Sequence, residues 1–95
     1  MPVVVKAEPK RLTAIIEPSD HAFVAVCPEL DLCTEGDTPD AALADLIEMA
    51  LDYSEQYIAE FERFSQSANR AAHAPYILAL RANPTPEGVH ALFHD

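Results

Sequence analysis

Residues 38–63 read TPDAALADLIEMALDYSEQYIAEFER, the most strongly periodic stretch of the chain. Thr38 can cap a helix, Pro39 suits the first helical position because its missing N–H is not needed there, and Asp40 places a negative charge against the positive end of the helix dipole. Leu43, Leu46, Ile47, Ala50, Leu51, Tyr57, Ile58 and Phe61 then recur at spacings of three and four, which draws one apolar stripe. Asp45, Glu48, Asp52 and Glu55 draw an acidic stripe on the other side. The spacing predicts one amphipathic helix from about Pro39 to about Arg63, roughly seven turns long. Its apolar stripe needs a partner surface, and the flanking sequence supplies one.

Upstream, Leu12–Glu17 is rich in β-branched residues and reads as a strand. Pro18-Ser19-Asp20 is a turn signal, and His21–Cys27 reads as a second strand, so the short spacing predicts an antiparallel hairpin. Val3-Val4-Val5-Lys6 extends the first strand or forms a short edge piece. Pro28 ends the second strand. Leu30–Glu35 reads as a third, and Gly36-Asp37 turns the chain, Gly being suited to a positive φ. Downstream, Ser65–Ala74 reads as the helix end plus a loop. Tyr76–Leu80, after Pro75, is a short apolar run read as a fourth strand rather than a buried helical turn. Thr85-Pro86-Glu87 repeats the cap-plus-proline signal and opens a short helix through about Phe93. The fold class expected is α+β: a three- to four-stranded, mainly antiparallel sheet, one long amphipathic helix packed on one face, and a short C-terminal helix. The 95 residues are read as a single domain with its core at about 12–64.

Phe23-Val24-Ala25-Val26-Cys27-Pro28-Glu29-Leu30-Asp31, then Glu35-Gly36-Asp37-Thr38, then Ala41, Ala42 and Leu43, resembles the HicB-like antitoxin family over about residues 12–64. The resemblance implies a partial RNase H-like fold and a role in neutralising a small basic RNA-cleaving toxin of the HicA type. The residues that carry it (Pro28, Gly36, Asp37, Thr38 and Pro39) stop a strand, turn the chain and cap a helix, so they report shape more than chemistry. Many such proteins carry a C-terminal ribbon-helix-helix or helix-turn-helix domain. Here the residues after the long helix are few and electrically neutral, with Glu87 and Asp95 set against Arg70 and Arg81.

The formal net charge is -10, and residues 1–64 carry all of it, with 14 acids and 4 bases. Such a surface repels phosphate and argues against direct nucleic-acid binding, while a basic protein is a suitable partner. No run of about 18 apolar residues predicts a membrane span. The start of the chain shows neither a charged n-region nor a long apolar segment, and two cysteines make no disulfide framework, so a cytoplasmic protein with reduced thiols is expected.

No residues stand out as catalytic, cofactor-binding or metal-binding. An RNase H-like fold raises the idea of a two-metal nuclease, which needs acids converging on the sheet. Here Glu29, Asp31, Glu35 and Asp37 sit on turns and the rest on the outer helix face, so a solvated surface is the favoured reading. His90 and His94 are four apart, a spacing open to zinc, but the metalloprotease pattern is missing and exposed polar side chains are favoured. Cys27 and Cys33 read as small buried apolar residues; a hairpin would also bring them close enough for a disulfide. The residues assigned to partner binding are Asp45, Glu48, Asp52 and Glu55 on the helix and Glu29 and Asp31 on the turn. The partners expected are a basic HicA-like toxin and a second copy of the chain.

Overall fold

The computed structural model describes residues 11–94. Strand β1 (Leu12–Thr13) is followed by β2 (Ile15–Ser19), β3 (Ala22–Cys27) and β4 (Leu32–Gly36). Helices α1 (Pro39–Ala59), α2 (Phe61–Ser65), α3 (Ala74–Ala82) and α4 (Pro86–Leu92) come next, and β5 (Phe93–His94) closes the described chain. The sheet is antiparallel in the order β2-β3-β4, as the turn signals predict. The Val3–Lys6 segment lies outside the described residues.

Strand alternation sorts this sheet into two faces. Ala25 and Cys27 of β3 are buried, and their cross-strand partners Ile16, Thr34 and Leu32 share that face. Over it lies α1, whose Ala42, Leu46, Ile47, Ala50, Tyr53, Ser54 and Tyr57 are buried. The opposite face carries Ile15, Glu17, Val24, Val26, Cys33 and Glu35, all exposed or half-buried. The fold class is therefore the one expected: three antiparallel strands, one long helix on one face and a short final helix. Thr38 caps α1 by accepting a hydrogen bond from the Ala41 N–H at 3.0 Å, and Thr85 caps α4 by the same bond from the Gly88 N–H.

Gly36 is required for a different reason from the one read in the sequence. Its φ is not positive. Instead, a Cβ at this position would stand 2.5 Å from the Ala42 nitrogen. The missing side chain lets the end of β4 pass against the first turn of α1, and the Thr34 hydroxyl locks that junction by donating to the Ala42 carbonyl at 2.8 Å.

Four expectations need correction. Tyr76–Leu80 is helical, within α3. Pro75 stands in the first turn, where its absent N–H costs nothing, and Ile77 and Leu80 are buried three residues apart on one side while Leu78 is 57% exposed. A short all-apolar run carries no periodicity that separates strand from helix. The long helix stops at Ala59: Glu60 leaves helical geometry (φ −122°, ψ 41°) and the chain restarts as α2. Ile58 and Phe61, placed on the apolar stripe, are exposed, while Tyr53, which the stripe left out, is buried along with Tyr57. The first strand is broken at Ala14, because Leu12–Thr13 pairs in parallel with Phe93–His94 rather than continuing the hairpin, and this also ends the last helix at Leu92. The third strand begins at Leu32, since Pro28–Leu30 is a turn of 3-10 helix.

Candidate functional site

That 3-10 turn sets up the site. Asp31 ends it in the left-handed conformation (φ 55°, ψ 40°), which Asp tolerates better than most residues, and its N–H donates to the Pro28 carbonyl at 3.3 Å. Met49, Asp52, Tyr53 and Gln56 lie at spacings of three, four and seven, so they share one side of α1. Asn69, Arg70 and His73 arrive on the segment between α2 and α3. Together these groups line a hollow of about 590 Å³.

Its floor is a buried pair. The Tyr53 hydroxyl lies 2.6 Å from His73 Nδ1, and His73 Nε2 lies 3.4 Å from an Asp31 carboxylate oxygen. The imidazole is 7% exposed and the Asp31 side chain 78% exposed. Each ring nitrogen thus has a polar neighbour: Nδ1 faces the Tyr53 hydroxyl and Nε2 faces Asp31. Burial pushes the Tyr53 phenol above its ordinary value, keeping it a donor. Arg70 lies over the Tyr53 ring, 5.5 Å from its centroid, and over Phe64 at 4.9 Å. The Tyr57 hydroxyl donates to the Arg70 carbonyl at 2.8 Å. These contacts clamp the segment after α2 onto α1.

A second hollow of about 360 Å³ adjoins the first, sharing Met49 and Asp52. Asp45, Glu48, Thr34 and Glu35 complete it. The acids read from the sequence are thus distributed unevenly. Asp31 and Asp52 line the larger hollow, Asp45 and Glu48 the smaller, and Glu55 is exposed beside neither. Glu29 is turned inward: its carboxylate accepts from the Thr13 N–H at 3.0 Å and the Thr13 hydroxyl at 2.7 Å. Burial raises its pKa, but those two bonds, together with its own backbone N–H and the Cys27 thiol, outweigh burial and leave the carboxyl below its ordinary value. Glu29 therefore ties β1 to the 3-10 turn. Pro28 opens that turn, and Gly36, Asp37, Thr38 and Pro39 form the β4–α1 junction.

Cys27 is buried as expected, its thiol pushed up to about 11 chiefly by burial. Cys33 is exposed, against expectation, and both cysteines are free. Cys33 pairs with Val26 in register, so it points to the opposite face of the sheet from Cys27. Among the described residues no group of three or more His, Cys, Asp or Glu side chains is placed to hold a metal ion, and no helix is long and apolar enough to cross a membrane. The buried Tyr and Cys are both held protonated, which makes them poor nucleophiles. The smaller hollow, whose charged groups are all carboxylates, is suited to holding a ligand of positive charge, whereas Arg70 and His73 share the larger one with Asp31 and Asp52.

His73 is the residue that sequence reasoning missed. It lies in the aperiodic Ala-rich segment, and its partner on α1 is 20 residues away. No local signal marks it.

Fold and site together define a small α+β module with two adjoining surface hollows, the smaller of them lined by four carboxylates. The chain belongs to the PHD-like antitoxin family, described as the antitoxin of RelE/RelB toxin–antitoxin systems, whose family profile matches residues 6–93. A solved structure described as the antitoxin part of a toxin/antitoxin system from Syntrophomonas wolfei subsp. wolfei superposes with a TM-score of 0.80 at 24% identity. The match covers 88% of this chain and 61% of that one, so the present chain spans about three-fifths of its neighbour's length, and the likeness shows the fold. No curated protein matches in sequence.

Proposed function

We propose that this protein is a HicB-like antitoxin that binds a small, basic, RNA-cleaving toxin of the HicA type and neutralises it by covering its active site, without catalysis of its own. The observation that carries the reading is the grouping of exposed Asp31, Glu35, Asp45, Glu48 and Asp52 around two adjoining hollows. Family membership supports the antitoxin role, and the Phe23–Leu43 motif supports the HicB-like assignment. Carboxylates ringing a cleft raise the rate of encounter with a basic protein and reject acidic ones. The protein–RNA alternative is unfavourable, because phosphates would approach a chain of net charge -10.

The test is capture from the native cells. A tagged copy should co-purify with a short basic protein, and the RNA cleavage shown by that protein alone should stop when the tagged chain is restored. Capture of no such protein, or cleavage that continues in the complex, overturns the proposal.

A further inference from the structure

The sheet has two edges, and they differ. Strand β2 carries Pro18, which has no N–H to offer a further strand, and proline is a common way of closing an edge. Strand β4 reads Leu32-Cys33-Thr34-Glu35-Gly36, with neither proline nor lysine. It pairs with β3 in unbroken register, Cys27↔Leu32 through Phe23↔Gly36, so no bulge bends it away. Among the described residues no strand lies on its other side.

The smaller hollow lies at this free edge. Thr34 points beneath α1 and Glu35 to the open face of the sheet, yet both line it. Above it stand Asp45, Glu48 and Asp52 of α1. From Asp45 to Gln56, which borders the larger hollow, α1 rises about 16 Å. Five residues of extended chain span about the same distance. A trough one short strand long therefore runs beside an open edge under a row of carboxylates.

We infer that a partner adds an extended basic segment to β4 as a fourth strand, its alternate Lys or Arg side chains on the α1 side reaching Asp45, Glu48 and Asp52. The inference rests on the reading of this protein as the binder of a basic toxin, and it names the surface used. A second copy of the chain is the poorer occupant, because β4 laid on β4 brings two sets of the same acids together. Backbone hydrogen bonds give such an added strand its affinity, and the charges select which strand is added.

Two synthetic octapeptides of equal charge separate the possibilities: one alternating Lys and Val, which favours a strand, and one alternating Lys and Gly, which does not. The Lys-Val peptide should bind at least tenfold more tightly, and amide exchange at the outward N–H groups of β4 should slow at least tenfold in its presence. A variant carrying Asp45→Lys, Glu48→Lys and Asp52→Lys, all exposed positions, should lose that preference and bind an alternating Glu-Val peptide instead. Equal affinities for the two Lys peptides with no protection of β4 overturn strand addition while leaving a basic partner in place. Binding of neither peptide, together with capture of no basic protein from cells, overturns both.

Discussion

The Tyr53 hydroxyl and His73 Nδ1 share a hydrogen bond of 2.6 Å in the interior, joining two segments that are 20 residues apart. The pair forms the floor of the larger hollow, and His73 belongs to the segment that walls it. The cleft's shape thus depends on this contact together with the Tyr57 hydroxyl bond to the Arg70 carbonyl and the Arg70 guanidinium over the Tyr53 ring.

Tyr53→Phe removes the hydroxyl, keeps the ring and leaves a buried imidazole nitrogen unpartnered. A loss of about 1–2 kcal/mol in unfolding free energy is expected. Urea titration measures it, and the slope of the transition should stay that of the parent. A variant as stable as the parent would mean that the hydroxyl bond contributes nothing to holding the wall in place.

Gly36→Ala tests the β4–α1 junction. The added methyl would meet the Ala42 backbone nitrogen at 2.5 Å, a main-chain atom that cannot rotate aside. Overpacking of this kind destabilises by about 1–3 kcal/mol. Thermal melting should show the loss, and an unshifted midpoint would refute close approach as the reason for glycine here.

What could be read in the sequence follows the range of the interactions. The β2–β3 hairpin and the start of α1 are local: a turn, a cap and a proline declare them within a few residues. The β1–β5 pairing joins Leu12 to Phe93 and leaves no trace at either end. Tyr76–Leu80 was ambiguous because an unbroken apolar run fits either element, and burial of Ile77 and Leu80 against α1, not propensity, decides it. In the candidate site, Asp31, Asp45, Glu48 and Asp52 were visible as acids outside the apolar pattern. Glu29 looked the same in sequence, yet its carboxylate faces Thr13, 16 residues upstream. His73 was hidden for the same reason of distance.

Glu29 also predicts a pH dependence. Folded, its carboxyl titrates below the ordinary 4.5, and unfolding returns it to that value. The unfolded chain therefore takes up this proton first as acid is added. Stability from the Thr13 bonds is complete above pH 4.5 and is lost as pH falls through the lower, folded value. Glu29→Gln lacks this titration. Urea midpoints taken from about pH 7 to about pH 3 should converge for the two proteins, and a constant gap between them would rule out the Thr13–Glu29 contact as its source.

The two thiols should react in sequence. Cys33 is exposed, whereas Cys27 is buried with its pKa at about 11, so little thiolate forms near neutral pH. Iodoacetamide at about pH 8 should add a single group to the folded protein, and a second only in denaturing urea. Peptide mapping that finds Cys27 labelled first would contradict the placement of β3.

The acidic row makes the sharpest kinetic prediction, because its members are not equivalent. Asp52 borders both hollows, Asp45 and Glu48 border one, and Glu55 borders neither. Reversing all four to Lys should slow association with the captured basic partner at least about tenfold at low salt, and should flatten the dependence of that rate on salt. Glu55→Lys alone should alter only the association rate, and slightly, since a rim charge steers without being enclosed. Asp52→Lys alone should raise the dissociation rate as well, because it places a cation inside the cleft where the partner's own cation would rest. Rates measured by surface plasmon resonance at two salt concentrations separate these effects. If the fourfold variant associates as fast as the parent at both, the partner docks elsewhere, and the open face carrying Ile15, Val24 and Val26 becomes the surface to alter next.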